Sequence, residues 1–462
     1  MFKNYIPADF GLNPDVIIND LTNSYFCKEN LKSDFRRILE FDFSNSNSKI
    51  EKGVYDILKE SKTIIHSLEY SAKSIYFYTP NDPLLGSSST DTTKQYYLHK
   101  ISMPSAWNIE TGSSSVTVGL IDSGVNFSNN DIDSSRFSTY DATGLGREAY
   151  APVISHGTMT GGIIAASTNN STYIAGICQN VLIKNIRADV PANNYEETVS
   201  SIISSINYAT SQNIPIINYS GGFYYQDLYN NALYDNGQND GGAALRQAII
   251  NYDGLVVVAS GNGYFNLNST PCYPSSWDLP NVISVGASNV NDNIWCWPQN
   301  HNNNSIDDDG SNYSNIHVHL FAPGEDIIST SGTSTSKESG TSFAAPQVAA
   351  VAALVLSKYP SMTTYDLKDT ILSNVDVISS LSNYCTSGGR LNAQMALSNP
   401  VYHSHNHTFN YQSAGQYKHR AYCECGDYLM EFHIWDEGYT WMNNNGVTFG
   451  YCDLCGGTMR VW

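Results

Sequence analysis

From about residue 95 to 398 the chain repeats one alternation, a short and largely apolar run followed by apolar residues at helical spacing. The runs fall at 116–121, 181–186, 214–217, 255–259 and 282–285. Between them Val199, Ile202, Ile203, Ile206 and Ala209 recur at the spacing of one helix face, and Leu245, Ala248 and Ile249 do the same further on. Short apolar strands separated by amphipathic helices predict an α/β fold whose doubly wound, mostly parallel sheet is covered on both faces. Such sheets bind ligands beyond the carboxyl ends of their strands. Asp122, Asn218 and Ser260 each lie at such an end, which makes that rim the place to look for chemistry.

A chain of 462 residues exceeds one ordinary core, so flanking units are expected. The polar run GSSSTDTT at 86–93 reads as a linker. Ahead of it, 35–43 alternates like a strand, 54–58 is helical in pattern and 74–78 reads as another strand, which predicts a small α+β unit over 1–88. The α/β domain then takes 89–400, and 401–462 forms a Cys/His-rich module. The polar stretch 289–315 reads as a surface loop. With 24 Lys+Arg against 43 Asp+Glu, the formal charge of −19 disfavours nucleic acid and anionic membranes as partners. No run approaches the roughly 20 apolar residues of a membrane-spanning helix. The first residues carry neither the basic nor the apolar part of a secretory signal, so export would need a signal outside this sequence.

Three segments carry chemistry. VGLIDSGV places Asp122 at the end of the first apolar run, where a rigid scaffold can hold a carboxylate against an imidazole. SHGTMTGGI puts His156 at the start of a helix whose small residues let it pack close to the sheet. SGTSFAAPQVAA sets Ser342 in the first turn of an apolar helix, with Gly340 at the turn into it and Pro346 near enough to the start to be tolerated. Alone, each has an ordinary reading: a turn Asp, a His near a helix start, a Ser cap. Together, in the order Asp…His…Ser with spacings of 34 and 186 residues, they supply an orienting acid, a base and a nucleophile.

This constellation resembles the subtilisin-like serine peptidases, the subtilases, over roughly 81–397. The resemblance extends to PNDP at 80–83, Ala106–Trp107 with Thr111–Gly112, and FAPG at 321–324. It implies that Ser342 attacks a peptide carbonyl, that His156 shuttles the proton, and that Asp122 orients the imidazole. It further implies that Asn262, in ASGNG, joins the Ser342 N–H as a donor to the developing oxyanion. Ser220, Gly221 and Gly222, with Ser260 and Gly261, would bind the substrate backbone and border its side-chain pocket. The chain departs from the family's usual pattern at Met159–Thr160–Gly161–Gly162, at Ala345 and at Gln347, positions expected to bear on packing and specificity rather than on proton transfer. Asp131 matches a calcium-ligand position of many relatives, with Asn169 and Asn170 in the later loop; a merely solvated loop is the other reading.

The resemblance also offers two readings of the flanks. Residues 1–88 would be an inhibitory propeptide, cut between about 86 and 95, or a structural extension that stays. Four of the nine cysteines, Cys423, Cys425, Cys452 and Cys455, and five of the eleven histidines crowd the tail, where CDLCGG reads as a metal knuckle. Cys423, Cys425, Cys452 and Cys455, with His433 able to replace one of the close-set first pair, are the candidate ligands of a structural zinc; disulfides are the alternative. No cofactor is expected for catalysis. The expectation is a secreted or surface-exposed monomeric serine endopeptidase acting on protein or peptide, with a cytoplasmic enzyme as the alternative location. A catalytically silent binding protein of the same fold, recognising partners through its tail, is the alternative function.

Overall fold

The computed structural model describes residues 79–152, 154–190, 196–224, 242–296 and 310–402, and, as backbone alone, short strands within 27–41 and 410–460. The chain divides into two compact units, 1–76 and 77–462. In the first, Cys27–Leu31 pairs antiparallel with Arg37–Phe41, inside the strand expected at 35–43. The helix and second strand expected at 54–58 and 74–78 lie outside the described residues.

The second unit is built on a nine-stranded sheet. Its strands, in chain order, are β1 (Thr117–Asp122), β2 (Phe137–Asp141), β3 (Leu182–Arg187), β4 (Ile216–Tyr219) and β5 (Leu255–Ala259). They are followed by β6 (Val282–Ser288), β7 (Leu320–Pro323), β8 (Asp376–Val377) and β9 (Gly389–Arg390). The spatial order is β8-β9-β7-β6-β5-β4-β1-β3-β2, and all neighbours are parallel except β8 against β9. The chain winds out through β2 and β3 on one side of β1, then crosses to β4 on the other. That crossing is the topological switch point, where the strand ends splay and leave a crevice.

Among the described residues, the longer helices around the sheet are α1 (His156–Ala165), α2 (Val199–Ser211), α3 (Ala243–Ile250), α4 (Thr341–Lys358) and, packed on α4, α5 (Thr364–Ser373). Alternate strand residues face opposite layers. Val118, Leu120, Val257 and Val285 share one core with Ile163, Ala344, Val348 and Val351 of α1 and α4. Ile121, Ile186, Val256 and Val258 share the other with Ile202 and Ile206 of α2 and Leu245 and Ile249 of α3. Helix α2 begins at a capping box, in which the Thr198 hydroxyl accepts from the Ser201 N–H and the Ser201 hydroxyl serves the Thr198 N–H. Helix α4 is 18 residues long and apolar enough to cross a bilayer, but 78% of that stretch is buried inside the protein. Its all-round apolarity is therefore that of a central core helix.

The stretch 289–315 is not simply a surface loop: Trp295, Ser311 and Asn312 are fully buried, although 297–309 lie outside the described residues. On either side of the polar run 86–93, Leu85 and Tyr96–Leu98 sit in the core of the second unit. The tail contributes two three-stranded antiparallel sheets, one from Asn410–Ser413, Lys418–Tyr422 and Tyr428–Phe432, the other from Trp435–Met442, Thr448–Cys452 and Thr458–Arg460.

Candidate active site

The carboxyl ends of β1 and β4 bring three of the sequence-singled segments to one rim. Asp122 closes β1 and is 1% exposed. Its Oδ1 accepts from the Ser123 N–H at 2.7 Å and lies 2.8 Å from His156 Nδ1, and its Oδ2 lies 3.0 Å from the same nitrogen. The Thr160 hydroxyl donates to Oδ2 at 3.0 Å. Burial pushes this carboxyl up, yet the adjoining His156 imidazole and the hydrogen bonds from His156, Ser123 and Thr160 outweigh it and hold Asp122 below the usual carboxylate range. The carboxylate is thus an anion at neutral pH, and it fixes which imidazole nitrogen carries the proton: Nδ1 donates, leaving Nε2 basic.

His156 is the first residue of α1 and is half-buried. The glycines after it make this position possible. A Cβ on Gly157 would lie 2.4 Å from the Gly124 carbonyl oxygen, and one on Gly162 would lie 2.1 Å from Thr330 Oγ1. Only bare backbone lets the helix approach β1 and the hairpin Ile327–Ser331/Ser334–Glu338 this closely. The contact is then pinned by hydroxyls: Ser329 donates to the Met159 carbonyl and Thr330 to the Thr158 carbonyl, each at 2.7 Å. The segment leading into α1 is held by Arg187, which pairs with Asp189 at 2.7 Å and donates to the Glu148 carbonyl at 2.5 Å.

Ser342 sits at the second position of α4, at the positive end of the helix dipole. Its Oγ donates to the Ser220 carbonyl at 2.9 Å, and its neighbour Phe343 has its ring centroid 5.6 Å from that of His156. Pro346 lacks the N–H that would ordinarily bond the Ser342 carbonyl four residues back. The Ser220 hydroxyl fills that gap, donating to the Ser342 carbonyl at 2.9 Å while accepting from Asn218 Nδ2 at 2.9 Å. The nucleophile candidate and the segment after β4 are therefore tied together in both directions.

Asn262 follows β5. Its Oδ1 accepts both the Thr341 N–H at 2.9 Å and the Thr341 hydroxyl at 2.8 Å, which fixes the orientation of the amide. Its Nδ2 consequently points away from Thr341, alongside Gly340. Gly221 is half-buried and Gly222 exposed, whereas Ser260 is fully buried with its hydroxyl on the Asn312 carbonyl at 3.1 Å. Asn312 is the anchor that the sequence left in a polar loop: its Nδ2 donates to the Ser260 carbonyl at 2.8 Å and its N–H to the Gly261 carbonyl at 2.8 Å. Sequence reasoning missed this residue, Thr160 and Thr341. Gln347 is buried and structural, its amide bridging the Pro323 and Phe343 carbonyls.

The donors around Asp131 can be matched against a calcium site. Its Oδ1 accepts from Asn170 Nδ2 and its Oδ2 from the Ile174 N–H, both at 2.9 Å. Asp82, from the segment before the polar run 86–93, accepts the N–H groups of Asn169 and Asn170 at 2.8 and 3.4 Å. N–H donors, rather than further oxygens, meet both carboxylates, and among the described residues no three His, Cys, Asp or Glu side chains gather as a metal site. Two carboxylates, Asp82 and Asp131, thus meet the one loop from 169 to 174 together with the Asn170 amide, oxygen-bearing groups of the kind calcium uses. Of the zinc candidates, Cys423, Cys425, His433 and Cys455 lie outside the described residues, and Cys452 is described as backbone only.

Comparison with known proteins agrees with this architecture. The profile of the subtilase family matches residues 113–405. A thermophilic serine proteinase from Bacillus sp. strain AK1 is 32% identical over 71% of this chain and 73% of its own length. Thermitase from Thermoactinomyces vulgaris is 32% identical over 69% of this chain and 99% of its own. Among solved structures, a protease from Pseudoalteromonas arctica superposes over 70% of this chain and 99% of its own, with a TM-score of 0.53 at 23% identity, which speaks for the fold. The chain belongs to the subtilase family, and it is a serine endopeptidase of the subtilisin type.

Proposed function

We propose that this endopeptidase cuts peptide bonds with Asp122, His156 and Ser342 acting as one proton-shuttling set. The observation that carries the reading is the buried Asp122 carboxylate, 2.8 Å from His156 Nδ1, on the same rim as the helix start bearing Ser342. A serine hydroxyl is weakly nucleophilic at neutral pH, so its proton must leave as it attacks. Rotation of Ser342 Oγ from the Ser220 carbonyl toward His156 Nε2 gives the base that proton. The imidazolium so formed is stabilised by Asp122 and later protonates the leaving amine. The tetrahedral oxyanion is met by the Ser342 N–H and by Asn262 Nδ2, whose orientation Thr341 has fixed in advance. The substrate backbone lies along 220–222, where the glycines permit a close approach, and its side chain enters beside Gly261. Water then hydrolyses the Ser342 acyl-enzyme by the same route in reverse.

In this reading, 89–400 is the catalytic domain, 1–88 a propeptide that leaves by cleavage between about 86 and 95, and 401–462 a module stapled by zinc through its cysteines and His433. The composition, rich in Asn, Ser and Tyr and poor in Lys, suits action outside the cell. Elemental analysis of the purified chain tests the zinc. The catalytic assignment is tested by fluorophosphonate labelling together with hydrolysis of a denatured protein. Wild type is expected to be labelled and active, and Ser342→Ala to lose both. An active Ser342→Ala enzyme overturns the assignment.

A further inference from the structure

We propose that Thr160 is a positioning residue for Asp122. The inference rests on the reading of Asp122, His156 and Ser342 given above. Thr160 is fully buried in α1, one turn beyond His156. Its single hydroxyl proton has three acceptors in reach: Asp122 Oδ2 at 3.0 Å, the Gly157 carbonyl at 3.2 Å and the His156 carbonyl at 3.3 Å. The two carbonyls sit within the hydrogen-bonded ladder of α1. The carboxylate is both the nearest acceptor and an anion, and charge-assisted bonds are roughly twice as strong as neutral ones.

The geometry explains what the bond does. Rotation of a carboxylate about its terminal bond is soft, with broad wells. Here the Ser123 N–H holds Oδ1 at 2.7 Å and the Thr160 hydroxyl holds Oδ2 at 3.0 Å, so the two oxygens are gripped separately. The carboxylate plane is thereby presented to His156 Nδ1, which lies 2.8 and 3.0 Å from the two oxygens. A valine of the same shape would keep the packing and remove the grip on Oδ2. Among the described residues, the charged group acting on the Asp122 carboxylate is His156. Arg187, beside Asp122 in the neighbouring strand, is paired with Asp189 instead.

The test is steady-state hydrolysis by the full chain across pH, for Thr160→Val, Thr160→Ser and, as control, Ser342→Ala. Loss of the hydroxyl leaves a more basic, less fixed carboxylate. Thr160→Val is therefore expected to lower kcat about three- to tenfold with KM unchanged. The acid limb of its kcat/KM profile, which reports the free imidazole, should move up by a few tenths of a pH unit. Thr160→Ser should restore both. A Thr160→Val enzyme with wild-type kcat and acid limb overturns the proposal. So does one that loses activity and thermal stability with an unmoved limb and no rescue by serine, which is the mark of packing alone. If Thr160→Val does not fold, Thr160→Ser against Thr160→Ala isolates the hydroxyl, with the same two outcomes. Activity surviving in Ser342→Ala would instead strike the assignment of the site itself.

Discussion

Asn262 accepts two hydrogen bonds from Thr341 through one oxygen, and that arrangement separates a turn residue from a positioned donor. If its Nδ2 meets the oxyanion only as charge develops, Asn262→Ala should lower kcat by about 10²–10³ with little change in KM, a general figure that was established on subtilisin itself. Steady-state kinetics on a peptide substrate checks this; a raised KM at constant kcat would mean that Asn262 binds substrate and does not stabilise the transition state. Asp122, His156, Ser342 and Asn262 could be singled out in the sequence because the proposed chemistry restricts which residue types can serve and each is framed by small residues. The residues that hold them were not. Ser123, Thr160 and Thr341 act through hydroxyls or backbone N–H groups that cap, pack or face solvent at most other positions, so their residue type carries no signal. Asn312 was hidden for the opposite reason, since its neighbours are polar and its burial follows from the strand it anchors.

Strands were placed from their apolar runs, and the structure extends several of them toward the carboxyl end. β1 ends at Asp122 rather than at residue 121, and β3 at Arg187 rather than 186, because the parallel ladder continues through Asp122 and Arg187 whatever their polarity. β2 escaped notice as an edge strand whose Ser138 and Thr139 are exposed, and β7 is too short to announce itself. The loop between β1 and β2 carries Asp131, whose carboxyl burial pushes up to about 6, with hydrogen bonds from Ile174 and Asn170 lowering it and the charge of Asp82 adding to the rise. A folded-state value above the ordinary one means that the fold favours the protonated acid. The stability this contributes is complete at low pH and is lost as the pH rises from about 4 through about 6. Asp131→Asn removes that loss, so its melting temperature should climb relative to wild type by several degrees between those pH values, measured in chelator, and then stay level. A difference independent of pH contradicts this. Calcium that raises the wild-type midpoint but not that of Asp131→Asn would show a cation held there.

At the scale of the whole molecule, the proposed catalysis belongs at the switch point between β1 and β4, and the two helices that begin at this rim carry His156 and Ser342 to it. That much followed from alternation and motif spacing, because a doubly wound sheet has one such crevice. The boundaries of the flanking units are read less directly. The polar run 86–93 looked like an interdomain linker, but residues on both sides of it are anchored in the catalytic core, and the division of the chain falls after residue 76. Polar surface turns and true linkers have the same composition, and only the burial of their neighbours distinguishes them. The most direct test of the account is acid quenching of the full chain during turnover of a slowly deacylating ester, followed by peptide mapping by mass spectrometry. The account predicts one acyl group per chain, on Ser342, and none when His156 is replaced by alanine. Turnover with no adduct on Ser342, or with the acyl group on another residue, would contradict it.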